Sequence, residues 1–291
     1  MIRMFAFLAA IFVSIVAVTS ATAIASDGGP ISFRIDADRG NAGEVKATFS
    51  KRDRKHNEWS TGIPVNQLEG FSVASLRSSS SQPVRFAVVR DAGRLDCAGT
   101  GSRSVASGGC TFAASAALSD FLASRGVRRP NEDESFSMMA LNVRRDLVEA
   151  LHAARYPAPT PEDLVGLTAL DVNTAYISGL SRVGYRPPNL EALLQFKALN
   201  VTPDYIEGFV RHGYGNMNPD ELVQLKALDI SADYVASFQR VGYRNLTADQ
   251  LVQLKALGVT ADYAQAVQRG SAQLPSPDKL VELRAIGFQP R

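Results

Sequence analysis

The sequence has little of what catalysis and metal binding usually require. It holds three histidines, His56, His152 and His212, in separate segments, none at metal-ligand spacing from another. H-E-x-x-H, G-x-S-x-G and C-x-x-C are all missing, which removes the zincin, nucleophile-elbow and thioredoxin-like readings. Gly99-Thr100-Gly101-Ser102-Arg103 is rich in glycine but does not complete G-x-G-x-x-G and lacks the lysine of a P-loop, so it reads as a loop. No metal, no cofactor and no enzymatic activity are expected; an unrecognised hydrolase is the contrary hypothesis. A dominant charge is lacking too. The formal net charge is +2, which gives no reason to expect a nucleic-acid partner.

Long apolar runs are also lacking, with one exception. Arg3 supplies a positive start, Met4 to Val18 is apolar apart from Ser14, and Ala21-Thr22-Ala23 or Ala23-Ile24-Ala25 offers a small-residue cleavage site. The run is short of the ~20 residues of a membrane span. Residues 1–25 therefore read as a signal peptide, the alternative being an uncleaved N-terminal anchor. The remaining chain is expected in the periplasm or outside the cell, with no stable transmembrane span. Only two cysteines are present, Cys97 and Cys110. In an oxidising compartment such a pair reads as a disulfide, closing a loop of about 14 residues and contributing ~3 kcal/mol.

What is present divides in two. Charge marks the division: 15 basic and 10 acidic residues lie over 26–130, against 15 basic and 19 acidic over 131–291. Residues 26–130 read as a small antiparallel β module. Ile31 to Asp36 and Val45 to Ser50 alternate apolar and polar, and Val84 to Arg90 follows. Asp91-Ala92-Gly93 reads as a turn into Leu95 to Ala98, and Gly108-Gly109 as a turn into Cys110 to Ala113. Ala114 to Arg125 reads as a helix closed by Gly126. The run Lys51-Arg52-Asp53-Arg54-Lys55-His56 lies between a strand and Trp59, where a solvated hairpin tip is the ordinary explanation and an anion-binding patch the functional one.

Residues 131–291 carry a phased signal. Ala-Leu-x-(Val/Ile) recurs at Ala140, Ala169, Ala198, Ala227 and Ala256, and as Ala285-Ile286-Gly287-Phe288, each 29 residues after the last. Five units begin at Asn131, Thr160, Asn189, Asn218 and Thr247, with a half-unit from Ser276. Each start is an N-cap residue followed by acidic residues suited to a helix N-terminus. A second helix is expected after Asn173, Thr202, Ser231 and Thr260, with Tyr176, Tyr205, Tyr234 and Tyr263 three residues on and Gly184, Gly213 and Gly242 at its end. Such short hairpins must stack, which makes the expected fold α+β: a small disulfide-pinned antiparallel β module, then a short α-solenoid of 29-residue helix hairpins. The tyrosines read as core aromatics whose hydroxyls reach a neighbouring unit.

Charges recur in phase as well. Lys197, Lys226, Lys255 and Arg284 form one row, and Arg182, Arg211, Arg240 and Arg269 another; Asp204, Asp233 and Asp262 form a third. Acids in first turns and bases in last turns satisfy the helix dipole, which accounts for all three. The candidate binding surface is the Arg182–Arg269 row together with Lys51, Arg52, Arg54 and Lys55. His212 replaces a valine of the equivalent position, and reads as packed. The pattern L-x-x-L-x-A-L-x-V-(T/S)-x-x-Y…G-Y resembles helical repeats of bacterial extracytoplasmic proteins, some similar to the sensor-side tails of antirepressor-class membrane metallopeptidases. The resemblance covers 131–291 and, more loosely, Phe86 to Phe112. It implies a stand-alone sensing or interaction module. Peptidase activity is not carried over, because H-E-x-x-H and a multi-span region are missing. The expected partner is a protein or peptide of the cell envelope, with an anionic envelope polymer as the alternative.

Overall fold

The computed structural model describes residues 31–39, 43–51, 57–271 and 273–290. The expected leader, residues 1–25, lies outside them. Seven strands form one curled antiparallel sheet: β1 (Ile31–Asp36), β2 (Glu44–Lys51), β3 (Asn57–Pro64), β4 (Leu68–Glu69), β5 (Gln82–Arg90), β6 (Gly93–Ser102) and β7 (Val105–Ala114). Their spatial order is β3-β2-β1-β7-β6-β5-β4. Alternation in β1 sends Ile31, Phe33 and Ile35 into the core and leaves Ser32 and Arg34 exposed, as a sheet covered on one face requires. Cys97 and Cys110 stand opposite each other in the β6–β7 register and are disulfide-bonded.

Two glycine segments differ from the sequence expectation. Gly99-Thr100-Gly101-Ser102 is the second half of β6 and not a loop, and Gly108-Gly109 lies inside β7 and is not a turn. The physical reason is close approach between strands. A Cβ on Gly99 would stand 2.1 Å from the Ser107 carbonyl oxygen, and one on Gly108 2.2 Å from that of Ala98. The turn itself is Arg103-Ser104, with φ of 48° and 66°, the left-handed pair that joins right-twisted strands in two residues. Strand β3 was not foreseen. Its Trp59 and Ile63 point inward, but Gly62 and a terminal proline dilute the pattern.

Twelve helices follow among the described residues: α1 (Ala116–Ser124), α2 (Glu132–Leu141), α3 (Arg145–Ala153), α4 (Pro161–Ala169), α5 (Thr174–Arg182), α6 (Leu190–Ala198), α7 (Pro203–Arg211), α8 (Pro219–Ala227), α9 (Ala232–Arg240), α10 (Ala248–Ala256), α11 (Ala261–Arg269) and α12 (Pro277–Ala285). Even-numbered helices pack in series, α2 on α4 and onward to α12, and odd-numbered ones form a second series. The architecture is a helical-repeat array. All ten expected N-cap side chains, from Asn131 to Ser276, accept a backbone N–H of their first turn. Even-numbered helices from α2 on end on a left-handed residue: Asn142, Asp171, Asn200, Asp229, Gly258 or Gly287. The next residue donates its N–H to a carbonyl five residues back, as Val172 does to Leu167 and Val201 to Phe196, and its side chain is buried at every stop except Phe288.

The sheet closes one end of the array. Helix α2 packs on β6 and β7, with the Phe136 ring against Trp59 at 4.8 Å and Phe112 at 5.4 Å. The β5–β6 turn grips both helix ends of the first hairpin. Arg90 Nη1 donates to the Met139 and Ala140 carbonyls at the end of α2, each at 2.8 Å. The Asp91 carboxylate accepts the Arg145 N–H at 2.9 Å. Arg144, the N-cap of α3, has no capping side chain of its own, so the β module supplies the cap.

Candidate interaction surface

The repeated tyrosines are interior ties between units. Tyr176, Tyr205 and Tyr234 donate their hydroxyl protons to the carbonyls of Val201, Ile230 and Val259 at 2.7–2.8 Å, and Tyr263 to Phe288 at 3.1 Å. Each bond runs from an odd-numbered helix to the left-handed turn of the following hairpin. Tyr214 and Tyr243, on the opposite edge, reach Leu246 and Pro275 in the same way. Burial makes the phenolate form costly and raises Tyr176, Tyr205, Tyr214, Tyr234 and Tyr243 above the ordinary tyrosine value, Tyr243 to about 12, and does the same to Tyr185, also to about 12. The first five are donors with no path to ionisation near neutral pH.

The lysine row lies over those rings. Lys197, Lys226 and Lys255 Nζ sit 4.7–5.3 Å from the ring centres of Tyr176, Tyr205 and Tyr234, and the Arg284 guanidinium 5.2 Å from Tyr263. Lys197 also pairs with Asp171 at 3.3 Å, and Lys255 donates to the Asp229 carbonyl at 2.9 Å. These cations join adjacent units and are half-buried.

The arginine row is different. Arg182, Arg211, Arg240 and Arg269 are exposed in the last turns of α5, α7, α9 and α11. Arg211 leans on Glu207 at 3.9 Å. The side chains of Arg182, Arg240 and Arg269 make no ion pair or hydrogen bond within the described residues. Lys51 does not belong with them: its ammonium pairs with Asp133 and Glu132 on α2, the side chain is only 13% exposed, and the hydrogen bond to Asp133 raises its pKa. Arg52, Arg54 and Lys55 lie outside the described residues. His212 is packed: its Nδ1 meets Gln239 Oε1 at 2.9 Å, while Gln239 returns a bond to the His212 carbonyl.

One row escaped the sequence reading. Leu170, Leu199, Leu228 and Leu257 close α4, α6, α8 and α10, and each is 37–38% exposed. In sequence they were only the register mark of Ala-Leu-x-Val, indistinguishable from core leucines such as Leu167 and Leu225, which are fully buried. The signal was available in one form: a leucine directly before a left-handed turn sits at the C-cap, off the helix's inward face.

Among the described residues, no group of three histidine, cysteine or carboxylate side chains is placed to hold a metal, and no helix is long and apolar enough to cross a membrane. No protein-family model matches the chain, and no curated protein matches it either.

Proposed function

We propose that this protein is an exported interaction scaffold that binds a protein or peptide partner in the cell envelope along the edge of its helical array. The exposed leucine row carries the reading. Four successive units leave the same apolar side chain in water, each flanked by an exposed alanine (Ala169, Ala198, Ala227, Ala256), whereas neighbouring leucines are buried. A regular apolar stripe suits an extended segment that repeats its contacts unit by unit. We read the units as one 29-residue hairpin stacked into a short α-solenoid; the even-numbered helix starts at Glu132, Pro161, Leu190, Pro219, Ala248 and Pro277 support that period. Export is supported by the leader-like N-terminus and by the disulfide, which persists in oxidising compartments. The non-catalytic character is part of the proposal.

A second reading, binding of an anionic envelope polymer, draws on the unpaired Arg182, Arg240 and Arg269. Lys51 gives it no help, since two carboxylates already hold that cation. One experiment separates the two. The full chain, a Leu199→Glu/Leu228→Glu variant and an Arg182→Glu/Arg240→Glu variant are used to capture crosslinked material from envelope extract. A discrete protein bound by the parent and lost only in the leucine variant, with the helical circular dichroism intact, is the expected result. Capture unchanged in the leucine variant would overturn the edge reading, and salt-labile polymer lost in the arginine variant would put the second in its place.

A further inference from the structure

Most residues that recur in phase along the array have a task inside it. The tyrosines bond the next unit, the lysines cover their rings, and the caps and left-handed stops begin and end the helices. Three glutamines recur without such a task. Gln195, Gln224 and Gln253 stand at one position of α6, α8 and α10, are exposed, and make no side-chain hydrogen bond within the described residues. The interior is less constant than this outward position: the buried residue that follows is Phe196 in α6 but Leu225 in α8 and Leu254 in α10. Gly166 and Glu282 replace the glutamine in α4 and α12, so the ladder is three units long.

Each glutamine is the middle of a ridge. Four residues before it stands an acid, Glu191, Asp220 or Asp249, and four after it an exposed leucine of the row described above, Leu199, Leu228 or Leu257. Residues four apart share a helix face and stand about 6 Å apart along it. Helix α6 packs on α8 and α8 on α10, at the ~8–10 Å usual for helix pairs. Their ridges therefore align into three parallel rows across the array: carboxylates, carboxamides and leucines. The carboxylates are exposed and make no ion pair within the described residues, although Arg182, Arg211 and Arg240 precede them by nine residues each.

We infer that these rows bind an extended segment of a partner protein, laid across α6, α8 and α10, whose side chains alternate basic and apolar. A carboxamide both donates and accepts, so it can bond the C=O and N–H of a main chain of any sequence. In an extended segment the side chains stand alternately on opposite sides of the plane that holds those main-chain groups. A segment bonded by the glutamines from below thus turns one set of side chains toward the carboxylates and the other toward the leucines. Basic residues suit the first row and apolar residues the second. Exposed Ala198, Ala227 and Ala256 keep the surface low enough for a main chain to approach. Two interhelical steps amount to about 16–20 Å, the length of about five or six extended residues. A helical ligand would bring its main-chain groups already bonded, and an anionic polymer would meet the carboxylates. Such a ligand rests on the scaffold reading above and gives its partner a chemistry.

The test titrates an acetylated and amidated heptapeptide of alternating lysine and leucine into the isotope-labelled full chain. Two controls run beside it: a peptide of the same composition in two blocks, and the alternating peptide methylated on its main-chain nitrogens. Expected are saturable shifts confined to the amides of α6, α8 and α10 and to the three glutamine side chains. The alternating peptide should bind about tenfold or more tightly than either control, and a Gln195→Ala/Gln224→Ala/Gln253→Ala chain with unchanged circular dichroism should lose a similar factor. Equal binding of a control peptide, or equal binding by the alanine variant, would overturn the inference. So would a ridge that is already covered. Self-association abolished in the variant would put a second copy there, and shifts in residues 1–30 or 52–56 on making the variant would put one of the chain's own segments there. Capture of an envelope protein that needs Leu199 and Leu228 but survives the glutamine substitutions would remove the extended ligand and leave the scaffold reading standing.

Discussion

At the scale of single residues the tyrosines couple stability to pH. Burial of Tyr176, Tyr185, Tyr205, Tyr234 and Tyr243 holds them neutral in the folded state while the unfolded chain ionises near pH 10. A group whose folded pKa is raised contributes stability that is complete below the unfolded pKa and is lost as pH rises through the folded one. With Tyr185 and Tyr243 pushed up to about 12, and Tyr176, Tyr205 and Tyr234 raised by the same burial, the loss falls between about pH 10 and 12 and beyond. Urea midpoints are expected to show no tyrosine-linked fall below about pH 9 and to drop steeply above 10, with a shallower drop in a Tyr205→Phe/Tyr234→Phe variant. A midpoint unchanged through pH 11 would contradict this. The tie between units was legible in the sequence, because a tyrosine recurring in phase needs a recurring acceptor. That the lysine row lies over those rings was not: the stacking geometry of α6 on α5, and not the helix dipole alone, sets it.

At the scale of elements, caps and stops were the most legible features, since both depend on local chemistry. Asn, Ser and Thr began helices at every expected position, and Gly184, Gly213 and Gly242 ended them. The other stop, after the even-numbered helices, is chemically stricter than the sequence reading recognised. It admits only Asn, Asp and Gly, the residues that tolerate left-handed backbone. Gly258, with φ +65°, tests this directly. Gly258→Asn is expected to cost under ~1 kcal/mol, because Asn200 adopts the same geometry, whereas Gly258→Val should cost ~1–2 kcal/mol or more by denaturant unfolding. Equal costs would remove backbone conformation as the cause. In the sheet the same residue type misled. Glycine at 99 and 108 looked like a loop and a turn because its second use, letting two strands come close, is invisible until the strands are paired.

At the scale of the molecule, the array and the sheet are joined through Phe136, Trp59, Arg90 and Asp91, and stability along the helices is a sum of neighbour contacts. The lone tryptophan therefore reports on the sheet end, while circular dichroism reports mainly on the helices. Leu254→Ala, at a fully buried position in α10, is expected to remove ~2–5 kcal/mol locally. Its helical transition should shift to lower urea and broaden, while the Trp59 fluorescence midpoint stays close to that of the parent. Coincident shifts of both signals would mean that the molecule unfolds as one cooperative block.

The sequence by itself determined the helical pairs, their caps, the disulfide partners and the spacing of every row, because each depends on groups within a few residues of one another or on a period that counts residues. Only the tertiary structure decided which members of those rows face water. It buried Lys51 against α2, placed Lys197 over Tyr176 and exposed Leu199 beside buried Phe196. It also left Phe288 open where Val259 is closed. Exposure depends on which side chains of other elements stand beside each residue, and a repeating sequence does not specify them.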